Sequence, residues 1–199
     1  MRSARPGARF STDGRRVGRG VAIARSPTGR GHRREATRAG MIQLMHRLNH
    51  LRWEAPRIDA RIAAVQARLD DAPVRRVLMV VGQTPLVAVG TGTFQDELIR
   101  MAHGDNLAAR AGGSWPRLSI EFAIAAAPEV IIDIHYGRAL TPEQIDRERA
   151  VWKTLSAVPA VRTGRVVLLV GDEFVVPGPR LADAAEAIAD AIHPLPRRD

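Results

Sequence analysis

The sequence predicts an α/β protein, a parallel sheet with helices on both faces, behind an Arg-rich leader. Three observations lead there. The runs "RRVLMVVG" (75–82), "VIIDI" (130–134) and "GRVVLLVG" (164–171) are short, apolar and β-branched, as strands buried on both faces are. Segments with helical caps and a 3.6-residue apolar period separate them. Strands alternating with helices in this way imply parallel pairing and two covering layers.

The leader, residues 1–40, is Arg, Gly, Ala and Ser with almost no apolar periodicity, and reads as disordered because it cannot bury enough surface to offset its ordering entropy. Of 30 basic and 21 acidic residues in the chain, 11 arginines and two acids lie here, so the remainder carries 19 of each. The high net charge therefore says nothing about what the globular part binds. Nucleic-acid binding through this tail is one alternative, since arginines release counterions from phosphate, although no aromatic stacking platform is interleaved. Arg15-Arg16 resembles the opening of an export signal, but "VAIA" is the longest apolar run behind it. The favoured reading is a leader without function of its own.

From there each element has its own signal. "MIQLMHRLNHLRWEA" (41–55) is weakly amphipathic. Ile58, Ile62, Val65 and Leu69 then recur at i, i+4, i+7 and i+11, the stripe of a helix, with Pro56 suited to its first turn and "DDAP" ending it. Residues 75–82 are a strand and "LVAVG" (86–90) a second short one. Thr93 opens a helix with Asp96 three residues on, Phe94, Leu98 and Met101 form its buried face, and Gly104 is placed as its C-cap. Ser119 caps a helix through Ala127. After the strand at 130–134, Thr141-Pro142-Glu143-Gln144 combines a cap, a proline at the first helical position and a capping-box glutamine. Ile145, Trp152 and Leu155 make that helix's inner face. The last helix is expected from Pro179, with Leu181, Ala185, Ile188 and Ile192 inward and Asp183, Glu186 and Asp190 toward water.

Ligands of such sheets bind outside the carboxyl ends of the strands. That rule gathers Gly82–Pro85, Gly90–Thr93, His135–Gly137 and Asp172–Phe174 as the candidate site. "VGTGTF" holds only a lone G-x-G, without the third glycine and ribose-binding acid of a nucleotide fingerprint, and reads first as a turn into a capped helix. His46 and His50 have a metal spacing but no third ligand, and read as solvated. Tyr136, the sole tyrosine, reads first as a rim residue that packs, with ligation of haem iron as the alternative. Trp115, after two glycines in "GGSWPRLS", suits either a flat ligand or the core. The chain has no cysteine, which excludes disulfides and thiolate chemistry. No Ser-His-Asp order, paired carboxylates or phosphate loop stands out, so the reading is non-enzymatic and without a cofactor.

The segments "GTGTFQDELIRMAHGDNLAARAGGSWPRLSIEFAIAAAPEVIID" and "VWKTLSAVPAVRTGRVVLLVGDEFVVPGPRLADAAEAIADAIHP" together resemble the C-terminal lobe of the periplasmic iron-siderophore and vitamin B12 binding proteins, the receptors of ABC importers. The resemblance covers residues 57–194. It implies a three-layer Rossmann-like lobe at 73–194, preceded by a helical segment, 41–72, that includes the end of the helix joining two lobes. It implies ligand contacts at Trp115 and Asp172, Glu173 and Phe174, with Arg180 at the cleft edge or bracing the loop. Thr91 and Tyr136 complete the expected contacts, and the Trp115-Pro116 pair is most like the vitamin B12 branch. The family docks on its permease with a glutamate from each lobe; here that position falls on Val175, and Glu173 two residues away is the substitute. The implied function is a truncated, non-enzymatic receptor that clamps a corrinoid (cobalamin) or ferric siderophore between lobes and passes it to an ABC permease in the periplasm. The family's N-terminal lobe and signal peptide are expected to be encoded upstream. The competing reading is a Rossmann-like nucleotide-dependent transferase or dehydrogenase using "VGTGTF".

Overall fold

Ile58, Ile62, Val65 and Leu69 are each 4% exposed, the periodic stripe turned wholly inward. In a computed structural model, which describes residues 55–137 and 139–195, they lie on or just beyond helix α1 (Ala55–Arg68). The Arg-rich leader, the 41–54 segment and the His46/His50 pair fall outside the described residues.

Strand β1 (Arg75–Gln83) follows, its residues Val77 to Val80 fully buried. It turns into β2 (Leu86–Ala88), helix α2 (Phe94–Met101) and the short β3 (Gly104–Asn106). A 3-10 turn (Leu107–Ala111) and a long loop lead to α3 (Ile120–Ala126). Next come β4 (Val130–His135), α4 (Pro142–Lys153), the single-turn α5 (Pro159–Arg162) and β5 (Val166–Val170). A 3-10 turn (Asp172–Phe174) leads into α6 (Leu181–Ile192).

The sheet has the order β2-β1-β4-β5. β1 pairs β4, and β4 pairs β5, both parallel. On its other edge β1 takes β3, parallel, along residues 75–77, and β2 along residues 80–83. β2 is antiparallel to β1, so the sheet is mostly rather than wholly parallel. The side chains of adjacent strand residues face opposite ways, and two cores result. Val77, Met79, Ile132 and Ile134 meet α1, α2 and α6 on one face. Leu78, Val80 and Ile131 meet Ala123, Trp152 and Ala160 of α3, α4 and α5 on the other. This is the three-layer arrangement that the sequence predicts.

The caps form as read. Thr93 accepts from the Asp96 amide, Ser119 from that of Phe122, and Thr141 and Gln144 make the reciprocal capping box. Other expectations need correction. Gly104 does not cap α2; Ala102 does, and Gly104 opens β3. It must be glycine there because a Cβ would lie 2.6 Å from Ile99 Cγ2, where α2 presses on the new strand. α6 begins at Leu181, two residues past Pro179. Leu155 lies beyond the end of α4 and, like Ile145, is only half-buried.

Asp183 and Glu186 do not simply face water. The Arg61 guanidinium lies 2.7 Å from Asp183 and donates twice to Glu186, at 2.9 and 2.8 Å, while Arg68 pairs with Asp190. These bridges align α1 on α6, but they are half-exposed and such pairs contribute little. The apolar stripe holds the helices together. Ile62→Ala should therefore cost about 2–5 kcal/mol in urea unfolding, and Arg61→Ala no more than about 1 kcal/mol. The reverse order would make the ion pairs the anchor.

At the amino edge of the sheet, His193 caps the end of α6, and its Nε2 is buried without a hydrogen-bond partner. Burial foremost, then the charge on Arg75, lowers its pKa below the ordinary 6.5. Below that pH the unfolded chain takes up a proton that the folded chain resists, so this contribution is whole above about pH 6.5 and shrinks on acidification. His193→Asn should flatten the loss of thermal stability between about pH 6.5 and 5; an unchanged slope would contradict this.

Candidate functional site

The parallel strands β1, β4 and β5 end at Gln83, His135 and Val170, which puts the hairpin 83–86, the loop after His135 and the turn after Gly171 at one edge. Gly171 N donates to His135 O at 3.0 Å, which joins the loops after β4 and β5 at this edge. Thr91 accompanies a loop that runs beside β2: Ala88 N donates to Pro116 O, Gly90 N to Ser114 O, Thr91 N to Gly113 O and Leu118 N to Leu86 O, at 2.9–3.0 Å. The stretch 113–118 is thus zipped along 86–91 like an extra strand.

Gly90 makes this approach possible, since a Cβ there would meet Gly113 O at 2.1 Å. The amides of Gly90 and Thr91 are spent on the neighbouring loop, and Thr93 caps α2. "VGTGTF" is a packing turn, with those amides unavailable to cradle a phosphate, which removes the support for the nucleotide reading. Inside the turn, Asp96 is fully buried; it accepts from Asn106 Nδ2 at 2.9 Å and pairs with Arg100. Asn106 also donates to Val89 O at 3.0 Å. This network ties the start of α2 to β3 and fixes the Thr91 corner.

Trp115 stands on this zipped loop with 49% of its surface exposed, after Gly112 and Gly113, both at positive φ. Tyr136, just past β4, is 73% exposed. Neither enters the core. A large exposed aromatic on a loop whose backbone is hydrogen-bonded has little ordering entropy left to lose.

The turn 172–174 differs from expectation at one residue. Asp172 is exposed, but Phe174 is only 4% exposed, in the core cluster with Ile134 and Leu181. Its carbonyl accepts from Gln95 Nε2 at 3.0 Å, a buried bond that pins the turn to α2. Phe174 was expected exposed at the cleft; the single 3-10 turn after β5 instead rotates it inward. Phe174 holds the loop rather than meeting a ligand. Glu173 folds its carboxylate back over Gly171, 15% exposed and 2.8 Å from Arg180, which brings Arg180 to brace the loop as one of its two expected roles. For Glu173 to reach a partner protein, that pair must open.

Sequence reasoning missed a polar cluster on the α4 face. Asp133, 1% exposed, accepts through Oδ2 from Gln83 Nε2 at 2.5 Å and from Trp152 Nε1 at 2.7 Å. The signal was present: an aspartate inside "VIIDIH", a strand buried on both faces, must find partners. A cavity of about 230 Å³ opens nearby, lined by Gln83, Leu86, Ile120, Val151, Trp152, Thr154 and Leu155. None of the expected ligand contacts lines it.

The model of the periplasmic binding protein family matches residues 55–172, more than half of the chain. The chain belongs to that family. It is 29% identical over 131 residues to the vitamin B12-binding protein of Salmonella typhimurium, covering 65% of this chain and 45% of that one. Among solved structures it is similar to a periplasmic binding protein from Veillonella parvula, with a TM-score of 0.63 and 23% identity over 72% of this chain and 50% of that one. It is also similar to the apo periplasmic heme-binding protein RhuT from Roseiflexus sp. RS-1, with a TM-score of 0.56 and 26% identity over 80% and 61%. The chain spans about half the length of the curated relatives it matches. These relatives are binding proteins, not enzymes, and the family is periplasmic. No helix among the described residues is long and apolar enough to cross a membrane.

Replacing Phe174 with Ala tests its placement: the loss should be about 3–5 kcal/mol in urea unfolding. A change under about 0.5 kcal/mol, as at an exposed site, would return Phe174 to the surface.

Proposed function

We propose that this chain is a receptor component of an ABC importer for a corrinoid or a ferric siderophore, with residues 73–194 serving as the C-terminal lobe. In this reading 41–72 contributes the end of the inter-lobe helix. The observation that carries it is Trp115: half exposed, fixed on a hydrogen-bonded loop at the strand edge where such folds take ligands, in a chain related to vitamin B12-binding proteins. An indole offers a flat, rigid apolar face with a hydrogen-bond donor, suited to a large planar ring system.

Thr91, Tyr136, Asp172 and Arg180 surround the same edge as polar contacts, Arg180 from its place against Glu173. A second lobe closing over this edge would sequester the ligand, and the closed pair would present it to the permease. The opened Glu173–Arg180 pair is the proposed docking contact of this lobe.

Haem is a second ligand that one residue favours. Tyr136 is 73% exposed directly after β4, and a phenolate is a known class of haem-iron ligand; the relationship to RhuT points the same way.

The test is isothermal titration of cyanocobalamin, a ferric hydroxamate and hemin into the chain and into a fusion that adds the N-terminal lobe of the Salmonella typhimurium relative. One of the three should bind the fusion more tightly than the chain. Trp115→Ala should weaken it at least tenfold, about 1.4 kcal/mol, and Val74→Ala, at the opposite edge, should not. If the ligand is hemin, Tyr136→Phe should shift its Soret band. Binding of none of these by the fusion, with tight binding of ATP or NAD, would overturn the proposal.

A further inference from the structure

Three side chains able to ligate a metal converge between β4 and α4: Asp133, His135 and Glu148, with one donor atom of each within 4.8 Å of the others. Strand and helix geometry put them there. Asp133 and His135 are two apart on β4 and so share a face of the sheet. Glu148 and Trp152 are four apart on α4, which stacks them on the face that covers this strand.

We propose that Asp133, His135 and Glu148 form a site for one divalent transition-metal ion of the zinc class. Four features of the cluster support this. First, His135 Nε2 lies 3.4 Å from Asp133 Oδ1. Two ligands held about 2.0–2.1 Å from a tetrahedral zinc stand about 3.4 Å apart. Second, His135 Nε2 is shielded from solvent yet has no hydrogen-bond partner, so it is free to ligate through a neutral imidazole. Third, the carboxylate of Asp133 is almost wholly buried, and the hydrogen bonds to it come from the neutral groups of Gln83 and Trp152. A buried negative charge calls for a cation. Fourth, both of those donors bind Oδ2, which turns Oδ1 toward His135, as the hydrogen-bonded neighbours of metal ligands do. The Gln83 amide also donates to the carbonyl of Glu148 at 3.3 Å, so one side chain positions two members of the set.

One imidazole and two carboxylates suit zinc, nickel or cobalt better than calcium or magnesium, which favour all-oxygen sites. Three protein ligands leave a fourth position for water or another donor. Bound there, the ion would fasten the end of β4, and with it the Tyr136 loop, to α4. The same atoms without metal would make only a His–Asp contact, and zinc binding separates the two.

The test uses the full chain with His46→Asn and His50→Asn, to remove a competing pair at metal spacing, and zinc and cobalt salts as probes in competition with a chromogenic chelator. One equivalent of zinc should bind with micromolar or tighter affinity and raise the thermal midpoint. Cobalt should give the intense visible bands of a four-coordinate site. His135→Ala and Glu148→Gln should each weaken zinc binding at least tenfold. Gln83→Leu, which removes only a positioning contact, should weaken it less and alter the cobalt spectrum. His103→Asn should change nothing. If zinc does not bind, or binds equally to the His135→Ala and Glu148→Gln proteins, the site does not exist.

Discussion

The pairing of β1 is the constraint on which the rest of the lobe depends. Its middle residues are buried on both faces, one edge bonds β4, and the other is divided between β3 and β2. Because β2 turns back antiparallel from the end of β1, it offers a free edge at the loop side of the sheet, and the 113–118 loop zips onto it. Loops are usually the mobile part of such folds. Here a hydrogen-bonded ladder runs through the loop that carries Trp115, and Gly90 is the point at which the ladder needs the absence of a side chain.

The second loop is held differently. The turn 172–174 is anchored by a buried aromatic below and by Gln95 from the side, with Glu173 and Arg180 paired above it. Gln95 and Asp96 are adjacent on α2: one fixes this turn and the other fixes the Thr91 corner. The first turn of a single eight-residue helix therefore sets the spacing of the 172–174 turn and the Thr91 corner.

Much of this was legible in the sequence because the signals were local. Three-residue cap spacings, a four-residue apolar stripe and β-branched runs are set by one element at a time, and they appear at Thr93, Ser119, Thr141 and Ile58–Leu69. β2 reads as a strand, and the two-residue turn between Gln83 and Leu86 admits only an antiparallel hairpin, so its direction was legible even though the alternating element pattern suggested a wholly parallel sheet. What was not legible depends on partners far apart in the chain. Gly104 follows a helix and looks like a cap; only the contact with Ile99 shows that it starts a strand. Phe174 in a polar loop looks exposed, and its burial depends on the rotation of one 3-10 turn. The Asp133 cluster joins residues 83, 133, 148 and 152, a set that no window of sequence displays together.

The central claim is that the strand-end edge bearing Trp115, Tyr136 and the 171–180 turn is the ligand surface of a periplasmic binding lobe. Hydrogen–deuterium exchange of the lobe-restored fusion, with and without the ligand it binds, tests this directly. The account predicts added protection confined within this chain to residues 90–93, 113–118, 135–137 and 171–180. Protection centred instead on α1 and the amino edge of the sheet, with those four segments unchanged, would contradict it.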